Sequence, residues 1–273
     1  MKKTILITGS TDGIGKLAAT KLAKDGHLVC IHGRNPHKVE RTLKEIKSYS
    51  NNDHVQAFIG DLSSFSSTRA LIAEVKYKLD SLDVLINNAG VFKTQKQNNE
   101  DRLDLRFVVN YLAPKVLTDG LHSLLRQSES PRILNLSSAA QAPISLKAML
   151  GEEAISVNES YAQSKLALTM WSFYLAQQTN GLQVVAVNPG SLLNTRMVQE
   201  AYGHHWSPAE KGADILYDLS TISNFDTYHG KYFDNDQGKI AKAHPSAYDD
   251  RALQMLMEAT QNLIKKTCSA KGR

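Results

Sequence analysis

The stretch TGSTDGIG, residues 8–15, decides the fold of this chain of 273 residues. It follows the apolar run at residues 5–7 and precedes a segment with helical periodicity, so it predicts a strand, a tight turn and the start of a helix. Glycines in such a turn can adopt positive φ angles and let a ligand approach the backbone, and the unpaired N–H groups of the helix start favour an anion. A dinucleotide pyrophosphate fits this place, although such turns also use glycine for geometry alone. The candidate contacts are Gly9, Ser10, Gly13, Ile14 and Gly15.

Apolar runs with strand character recur along the whole chain and alternate with helical segments. Strands are predicted at 4–8, 28–32, 55–59, 84–86, 133–136 and 184–187, with a seventh that includes 231–233. Helices are predicted at 14–24, 36–49, 64–79, 101–126, 160–179, 208–220 and around 248–264. This alternation favours parallel strands joined by crossover helices, and near-continuous apolar strands suit a sheet covered on both faces. The predicted fold class is α/β, a doubly wound Rossmann fold in one domain spanning 1–273, with a parallel sheet of about seven strands.

Composition bounds the function classes only loosely. Hydrophobic residues at 42% and charged residues at 22% are typical of a globular protein, and the net charge of +5 comes from lysines and arginines interleaved with acids. Solvated helix faces explain that pattern better than nucleic-acid binding. No stretch reaches the length of a membrane span. Because Cys30 and Cys268 are the only cysteines, no disulfide framework is expected and a reducing cytoplasm is the predicted compartment.

Two long segments without strand character, 139–159 and 191–207, both follow predicted strand ends. In open parallel sheets ligands bind beyond the carboxyl ends of the strands, so these segments are predicted to wall a substrate site. A lid of Met197, Tyr202 and Trp206 over an apolar substrate is a hypothesis.

The adjacent residues His204 and His205 lie in the second of these segments. Neighbouring histidines cannot share a helix face, and no third ligand stands at suitable spacing. No metal site is predicted.

Arg34 follows the second predicted strand, where a dinucleotide fold often carries an acidic residue for the ribose 2′-hydroxyl. No acid stands at this strand end, and an arginine there would accept a 2′-phosphate instead. A charged hydrogen bond of roughly 1.5–3 kcal/mol gives about a ten- to hundredfold preference for NADP(H) over NAD(H). The alternative is a surface arginine that merely opens the next helix.

The ends of the third and fourth strands supply further candidate contacts. Asp61 and Leu62 could hold the adenine edge, or Asp61 could cap the helix that starts near Ser64. After the fourth strand, small residues let the backbone lie against a cofactor, although asparagine pairs also occur in plain turns. These small residues are Asn88, Ala89 and Gly90.

Tyr161 and Lys165, in YAQSK, lie four residues apart and therefore share one face of a helix. A tyrosine has a reference pKa of about 10, so it is a poor base at neutral pH unless a neighbouring cation favours the phenolate. Lys165 and an oxidised nicotinamide ring could supply that charge, while the protonated Tyr161 could donate to a carbonyl oxygen. The same spacing also arises by chance in amphipathic helices.

Ser138 closes the fifth strand and is the preferred donor to the same carbonyl oxygen, with Ser137 as the competing choice. The preference assumes that Leu134 and Leu136 point to one side, which leaves the second serine at the open strand end. Both serines could instead be simple turn residues.

Asn110 lies in a long helical segment, four residues before Pro114. A proline has no N–H, so it cannot bond the Asn110 carbonyl, and its ring tends to kink the helix. A water held by that carbonyl could link Lys165 to solvent. The alternative is that Pro114 only bends a long helix around the core.

Together, TGSTDGIG, NNAG, Asn110, the strand-end serine, YAQSK and NPG at 188–190 resemble the motif set of the short-chain dehydrogenase/reductase family, over residues 5 to about 233. The resemblance implies a seven-stranded Rossmann sheet, a nicotinamide cofactor and hydride transfer between an alcohol and a carbonyl. It implies a dimer or tetramer, and a role for Lys165 on the nicotinamide ribose. The catalytic residues that it implies are Asn110, Ser138, Tyr161 and Lys165. The further cofactor contacts that it implies are Tyr161, Pro189, Gly190 and Thr195.

Two features separate this chain from the compact members of that family. The stretch between Ser138 and Tyr161 is longer and is similar to the retinol-dehydrogenase-like group, as is the segment GKYFDNDQGK. After NPG, Asn194 stands where the family usually has a threonine, and Thr195 comes one residue later.

The predicted function is therefore NADP(H)-dependent interconversion of a hydrophobic aldehyde or ketone and its alcohol, with Tyr161 as acid and base. A non-catalytic NADP(H)-binding regulatory module is the alternative, and it would tolerate loss of Tyr161 or Lys165, which this chain retains. A nucleotide-sugar epimerase of the same broad fold would need a larger C-terminal substrate domain. The expected partner is a small carbonyl or alcohol substrate.

Overall fold

Eight strands form one sheet at the centre of the molecule. The computed structural model describes residues 2–269, apart from the side chains of Tyr202, Cys268 and Ser269. The strand order is β3-β2-β1-β4-β5-β6-β7-β8, with β1 to β7 parallel and β8 antiparallel to β7. The strands are β1 Thr4–Ile7, β2 Leu28–Gly33, β3 Val55–Ile59, β4 Val84–Asn87, β5 Arg132–Leu136, β6 Gln183–Asn188, β7 Lys231–Asp234 and β8 Lys239–Ala241.

The predicted doubly wound α/β fold is confirmed, with eight strands rather than about seven. The additional strand, β8, is a three-residue edge strand that returns from β7 through a turn ending at Gly238, which has a φ of +65°. Two of its three residues are exposed, so it carries no apolar run that a sequence pattern could detect.

Helices cover both faces of the sheet. One face holds a cluster that includes Ile5, Ile7 and Ile31, and the opposite face holds a larger cluster that includes Leu6 and Cys30. Successive residues of a strand thus pack into opposite layers, as in a sheet buried on both sides. The helices are α1 Gly13–Lys24, α2 Pro36–Ser50, α3 Phe65–Lys78, α4 Leu105–Phe107, α5 Ala113–Leu125, α6 Leu146–Met149, α7 Val157–Gln178, α8 Arg196–Tyr202, α9 Ala209–Thr221 and α10 Asp250–Ser269.

The predicted helix at 101–126 is a composite element. It begins at Leu105, where the Asp104 side chain caps the first turn, and it passes through a π-helical turn at Val108–Leu112 before α5. The Ala113 N–H reaches back five residues to the Val108 carbonyl. The backbone disturbance expected from Pro114 is therefore a π-helical turn that contains Asn110.

Two other helix boundaries differ from the sequence prediction. Helix α7 starts at Val157 rather than at 160, because Ser156 and Glu159 form a reciprocal capping box. Helix α10 starts at Asp250 rather than near 248, after a 3₁₀ turn at Pro245–Tyr248, and it continues to Ser269. The Tyr111 hydroxyl bonds Thr260 of α10 at 2.8 Å, which fixes this helix against the π-helical turn.

The strand order reverses between β1 and β4, which are neighbours in the sheet. Their carboxyl ends therefore place the TGSTDGIG turn beside NNAG. A crevice at such a reversal is the usual ligand site of an open α/β sheet. Within residues 2–269, no helix combines the length and the apolar character needed to cross a membrane.

Candidate functional site

A cavity of about 440 Å³ opens at the carboxyl edge of the sheet. Its walls come from the turns after β1 to β6 and from helix α8, so distant parts of the sequence meet there. The predicted site residues that line the cavity are Gly9, Gly13, Ile14, Gly15, Arg34, Asp61, Leu62, Asn88, Ala89, Gly90, Ser138, Tyr161, Pro189, Gly190 and Thr195.

The glycine turn after β1 is in direct backbone contact with NNAG. Gly9 has a φ of +64°, and a Cβ there would lie 2.8 Å from the Ala89 Cα. A Cβ on Gly15 would collide with the Asn88 amide nitrogen, which donates to the Thr8 carbonyl at 2.7 Å and to the Gly9 carbonyl at 3.0 Å. Close approach thus favours glycine at both positions, and the positive φ favours it at Gly9 as well.

Ser10 does not line the cavity, unlike the other predicted residues of this turn. Its hydroxyl donates to the Ile7 carbonyl at 2.8 Å and accepts from the His32 N–H at 2.9 Å, and its side chain is fully buried. The structure therefore places Ser10 beneath the turn, where it supports the backbone.

His32 joins three strand ends beneath the same turn. Its Nδ1 accepts from the Gly9 N–H at 3.1 Å, and its Nε2 lies 3.1 Å from the Gly60 carbonyl, to which it donates when Nδ1 is the acceptor. Burial lowers the pKa of His32 to about 4, so the imidazole is neutral at physiological pH. The sequence analysis missed this role, although a histidine ending an apolar strand was a visible signal.

Two cations stand at the rim beyond β2. Arg34 is exposed, and Lys38 lies four residues later on the first turns of α2, with its side chain at the cavity wall. The Lys38 ammonium is 2.5 Å from a carboxylate oxygen of Asp12, whose other oxygen accepts from the Gly13 N–H. The hydrogen bond from Lys38 is the main reason that the pKa of Asp12 is lowered. Lys38 and Asp12 were missed, and helical spacing could not have indicated Lys38, because Arg34 precedes the Asn35 cap of α2.

Asp61 and Leu62 lie at the wall beyond β3. The Asp61 carboxylate accepts from the N–H and the hydroxyl of Ser63, and the cap of α3 is Ser64. The alternative that Asp61 caps this helix was therefore wrong, because the Ser64 hydroxyl occupies the capping position.

Tyr161 and Lys165 share one face of α7, as their spacing predicts. The Lys165 ammonium is 5.7 Å from the centre of the Tyr161 ring, and it donates to the Leu136 carbonyl at 2.7 Å. Burial lowers the pKa of Lys165 to about 8, because the charged form loses solvation. An ammonium with that pKa can lose and regain a proton near neutral pH.

The Asn110 side chain forms the wall behind Gly90. Its Oδ1 accepts from the Val91 N–H at 2.8 Å, while its Nδ2 donates to the Val91 carbonyl at 3.1 Å and to the Ser164 hydroxyl at 3.0 Å. A Cβ on Gly90 would lie 3.4 Å from the Asn110 Oδ1 and 3.5 Å from the Lys165 ammonium. Asn110 and Lys165 therefore meet behind Gly90, and neither of them lines the cavity itself.

Both candidate serines line the cavity, but their hydroxyls have different surroundings. Ser137 is buried, and its hydroxyl lies 3.2 Å from the Lys165 carbonyl and 2.6 Å from the Thr169 hydroxyl. Ser138 is partly exposed, and its hydroxyl accepts from the Ala140 N–H at 3.1 Å. Leu134 and Leu136 do pack into one apolar layer, which was the assumption behind the choice of Ser138.

The NPG turn after β6 is anchored by the β7–β8 hairpin, which belongs to the segment GKYFDNDQGK. The Asn188 amide donates to Asp234 at 2.8 Å and to Asp236 at 3.0 Å, and the Asn235 amide donates to the Pro189 carbonyl at 2.8 Å. Asp236 also accepts from the Ser191 N–H. This segment therefore fixes the cavity wall that Pro189 and Gly190 form.

Thr195 caps α8 and stands opposite the glycine turn. Its side chain accepts from the Val198 N–H, and a Cβ on Gly13 would lie 3.5 Å from the Thr195 methyl group. Thr195 therefore faces the position at which the sequence predicts a pyrophosphate.

The segments 139–159 and 191–207 contain the short helices α6 and α8. Met197 lines the cavity, whereas Trp206 is 74% exposed and does not line it, so Trp206 is not a lid in this conformation. The Tyr202 side chain lies outside the described residues. Among the side chains that the structure describes, no three or more His, Cys, Asp or Glu residues are grouped to hold a metal.

Comparisons with known proteins agree with this architecture. A family model described as short chain dehydrogenase matches residues 3–205. Human retinol dehydrogenase 13 is 35% identical over 283 residues, which cover 96% of this chain and 84% of that protein. Human polyprenol dehydrogenase is 34% identical over 210 residues, which cover 73% of this chain but only 63% of that protein, less than two thirds of its length. A short chain dehydrogenase from Escherichia coli CFT073, solved with NADPH, has a TM-score of 0.71 and 25% identity, over 85% of this chain and 96% of its own.

The neutral His32 predicts a specific loss of stability in acid. The unfolded imidazole takes up a proton below about pH 6.5, whereas the folded one resists protonation down to about pH 4. The unfolded state therefore binds more protons in this window. The free energy of unfolding decreases as the pH is lowered, by on the order of 3 kcal/mol over the whole window. His32→Asn, which keeps an acceptor for Gly9, should remove this part of the slope in urea unfolding measured between pH 7.5 and pH 4.5.

The matched control is the exposed His54→Asn, which should keep the wild-type slope. Other titrating groups are common to all three proteins and cancel in the comparison. An unchanged slope in His32→Asn would show that His32 does not resist protonation in the fold.

Proposed function

Because the chain belongs to the short-chain dehydrogenase/reductase family, in its retinol-dehydrogenase-like group, we propose that it is an NADP(H)-dependent oxidoreductase for hydrophobic carbonyl compounds and their alcohols. The observation that carries the proposal is the Tyr161–Lys165 pair: Tyr161 lines the cavity, and behind it lies a buried ammonium whose pKa burial lowers to about 8. A module that only bound a cofactor would not need a proton donor coupled to a buried ammonium.

The shape of the cavity fits a nicotinamide dinucleotide. Side chains at three glycines would contact the residues behind them. A Cβ on Gly9 would meet Ala89, one on Gly15 would meet Asn88, and one on Gly90 would meet Asn110 and Lys165. In this proposal the glycine turn and the start of α1 hold the pyrophosphate. Asp61 and Leu62 contact the adenine, the Asn88–Ala89–Gly90 backbone lies along the cofactor, and Tyr161 and Lys165 hold the nicotinamide ribose. Pro189, Gly190 and Thr195 complete the nicotinamide side.

The preference for NADP(H) rests on charge at the end of β2. Arg34 and Lys38 lie on the same side of the α2 start, and no acid follows the strand at residues 33–38. Asp12 holds Lys38 at 2.5 Å and orients its ammonium beside the turn. Two cations at this place favour a 2′-phosphate over a 2′-hydroxyl. The E. coli relative solved with NADPH supports the same preference.

The proposed chemistry assigns one task to each residue of the tetrad. The bound nicotinamide supplies or accepts the hydride. In reduction, the Tyr161 hydroxyl donates its proton to the substrate oxygen, and Ser138 donates a hydrogen bond to the same oxygen. Lys165 stabilises the phenolate that remains and can return a proton to it. Asn110 holds the Val91 backbone and Ser164, which keeps the wall behind Lys165 in place.

The substrate is proposed to be hydrophobic because Val91, Phe92, Leu193 and Met197 contribute apolar walls. The relatives named retinol dehydrogenase and polyprenol dehydrogenase act, by their names, on long apolar alcohols. We treat 1–273 as one Rossmann-type domain in which the segments 139–159 and 191–207 form the substrate walls. A homodimer or homotetramer is part of the same proposal and rests on the family alone, whereas the proposed cytoplasmic compartment rests on the two cysteines.

The double variant Arg34→Ala, Lys38→Ala should lose the preference for the phosphorylated cofactor. NADPH affinity should fall by about ten- to hundredfold, because charged hydrogen bonds to the 2′-phosphate are removed, while NADH affinity stays within about threefold. Nicotinamide fluorescence titration measures both. Lys44→Ala, on the same helix but paired with Glu40, is the control and should change neither affinity. An equal loss for the two cofactors would contradict recognition of the 2′-phosphate.

Tyr161→Phe should abolish most turnover and leave most of the cofactor binding, because Lys165 and the glycine turn still hold the nucleotide. With all-trans-retinal as the probe, kcat should fall by about 10²–10⁴-fold, the usual contribution of a positioned acid or base. Tyr174→Phe, on the same helix, is the control and should keep wild-type kcat. Wild-type turnover in Tyr161→Phe would exclude the proposed mechanism. If the wild-type protein binds NADPH but reduces neither all-trans-retinal nor a panel of apolar aldehydes and ketones, the result favours the non-catalytic binding module.

A further inference from the structure

Arg106 has no place in the tetrad, yet it is one of the largest fully buried side chains of the protein, with 1% exposure. Its guanidinium makes three hydrogen bonds in three directions. Nη2 donates to the Asp104 carboxylate at 2.7 Å, Nη1 to the Phe92 carbonyl at 3.1 Å, and Nε to the Ser160 hydroxyl at 3.1 Å. All three partners are buried, so the contacts are not those of a solvated surface charge.

The contacts of Arg106 repeat those of Asn110, one helical turn away. Asn110 bonds the backbone of Val91 and the hydroxyl of Ser164, while Arg106 bonds the backbone carbonyl of Phe92 and the hydroxyl of Ser160. The two donors are four residues apart on one helical segment, and so are the two serines on α7. Two sets of hydrogen bonds, which we call the Arg106 rung and the Asn110 rung, therefore connect this helical segment to the loop after β4 and to α7.

Each rung ends next to one member of the reactive pair. Ser164 precedes Lys165 in the chain, and Ser160 precedes Tyr161. The Arg106 rung also fixes Phe92, whose ring meets the Tyr161 ring edge-on with 4.9 Å between the ring centres. The Arg106 rung therefore contacts Ser160, the residue before Tyr161, and also Phe92, whose ring packs against the Tyr161 phenol.

Arginine suits this position because a planar guanidinium has five N–H donors in a fixed geometry. A lysine would retain the charge toward Asp104 but would lack the planar geometry that serves three acceptors at once. Asp104 also accepts from the Arg106 N–H at 2.8 Å and caps α4, so it holds the side chain and the backbone of Arg106 together. This pairing lets the charge remain buried.

The geometry points to Arg106 as a positioning residue for Tyr161. It acts through Ser160 and Phe92 to keep the phenol at its place beside Lys165, as Asn110 does for the lysine. Arg106 does not line the cavity, so it acts on the reaction only through these neighbours. The inference rests on the proposed function, in which Tyr161 transfers the proton.

Three variants test this role. Arg106→Lys keeps the charge and loses the three-way geometry, and Ser160→Ala removes one arm of the rung without disturbing the buried ion pair. Arg132→Lys is the matched control, because Arg132 is also buried, bonds the Leu219 carbonyl at 3.1 Å and lies over the Phe225 ring, at the amino end of β5. For each, thermal unfolding, NADPH affinity, and kcat and KM for all-trans-retinal are measured from pH 6 to pH 10.

Arg106→Lys and Ser160→Ala should lower kcat by about 10- to 100-fold with KM and NADPH affinity within about threefold, because a misplaced acid impairs the chemical step. The basic limb of their kcat–pH profiles should move up by about half to one pH unit, since a phenol further from Lys165 holds its proton more tightly. Arg132→Lys should unfold at a lower temperature with unchanged kcat and an unchanged profile.

Wild-type kcat and pH profile in Ser160→Ala, or in a folded Arg106→Lys, would overturn the positioning role. The role would also be overturned if Arg132→Lys showed the same fall in kcat and the same shift of the kcat–pH profile, because the effect would then be one of general stability. If Arg106→Lys fails to fold, Ser160→Ala decides. Tyr161→Phe is measured alongside: full turnover there removes the proposed function itself, whereas a loss there with normal Arg106 and Ser160 variants removes only this inference.

Discussion

The buried ammonium of Lys165 is the constraint around which the candidate site is built. A charge this deep needs a partner, and the structure supplies the Leu136 carbonyl at 2.7 Å, at the point where β5 ends. This hydrogen bond ties α7 to the end of β5 and so helps to set the position of Tyr161, one turn earlier. Asn110 closes the space behind the ammonium, and Gly90 leaves the room for it in front. Burial also lowers the pKa of Lys165 to about 8, which suits a group that exchanges protons with its neighbour.

The cofactor side of the cavity depends on backbone contacts rather than on charge. Gly9 and Gly15 let the turns after β1 and β4 touch, and His32 and Ser10 fasten the first turn from below. The cations at the rim, Arg34 and Lys38, are by contrast partly or fully exposed, and in our proposal they select between the two cofactors at a site whose shape the interior defines.

Local patterns predicted most of the fold and much of the site. TGSTDGIG and YAQSK specify their own geometry, because a turn and an i, i+4 pair depend on neighbours in sequence. Pro114 indicated a backbone disturbance near Asn110 but not its π-helical form, and β8 is too short and exposed to give an apolar pattern. The buried orientation of Ser10 depends on His32 in a different strand, which no local pattern encodes. Arg106 shows this most clearly, since two of its three partners, Phe92 and Ser160, are 68 residues apart in the chain. From sequence alone it is one basic residue among 32.

The most direct test of the account needs no knowledge of the substrate. Purified wild-type protein is titrated with NADPH and with NADH, and binding is followed by nicotinamide fluorescence. The account predicts that NADPH binds at least about tenfold more tightly, because Arg34 and Lys38 face the 2′-phosphate. Equal affinities would contradict the cofactor assignment at the end of β2, and no binding of either nucleotide would contradict the assignment of the protein as an oxidoreductase.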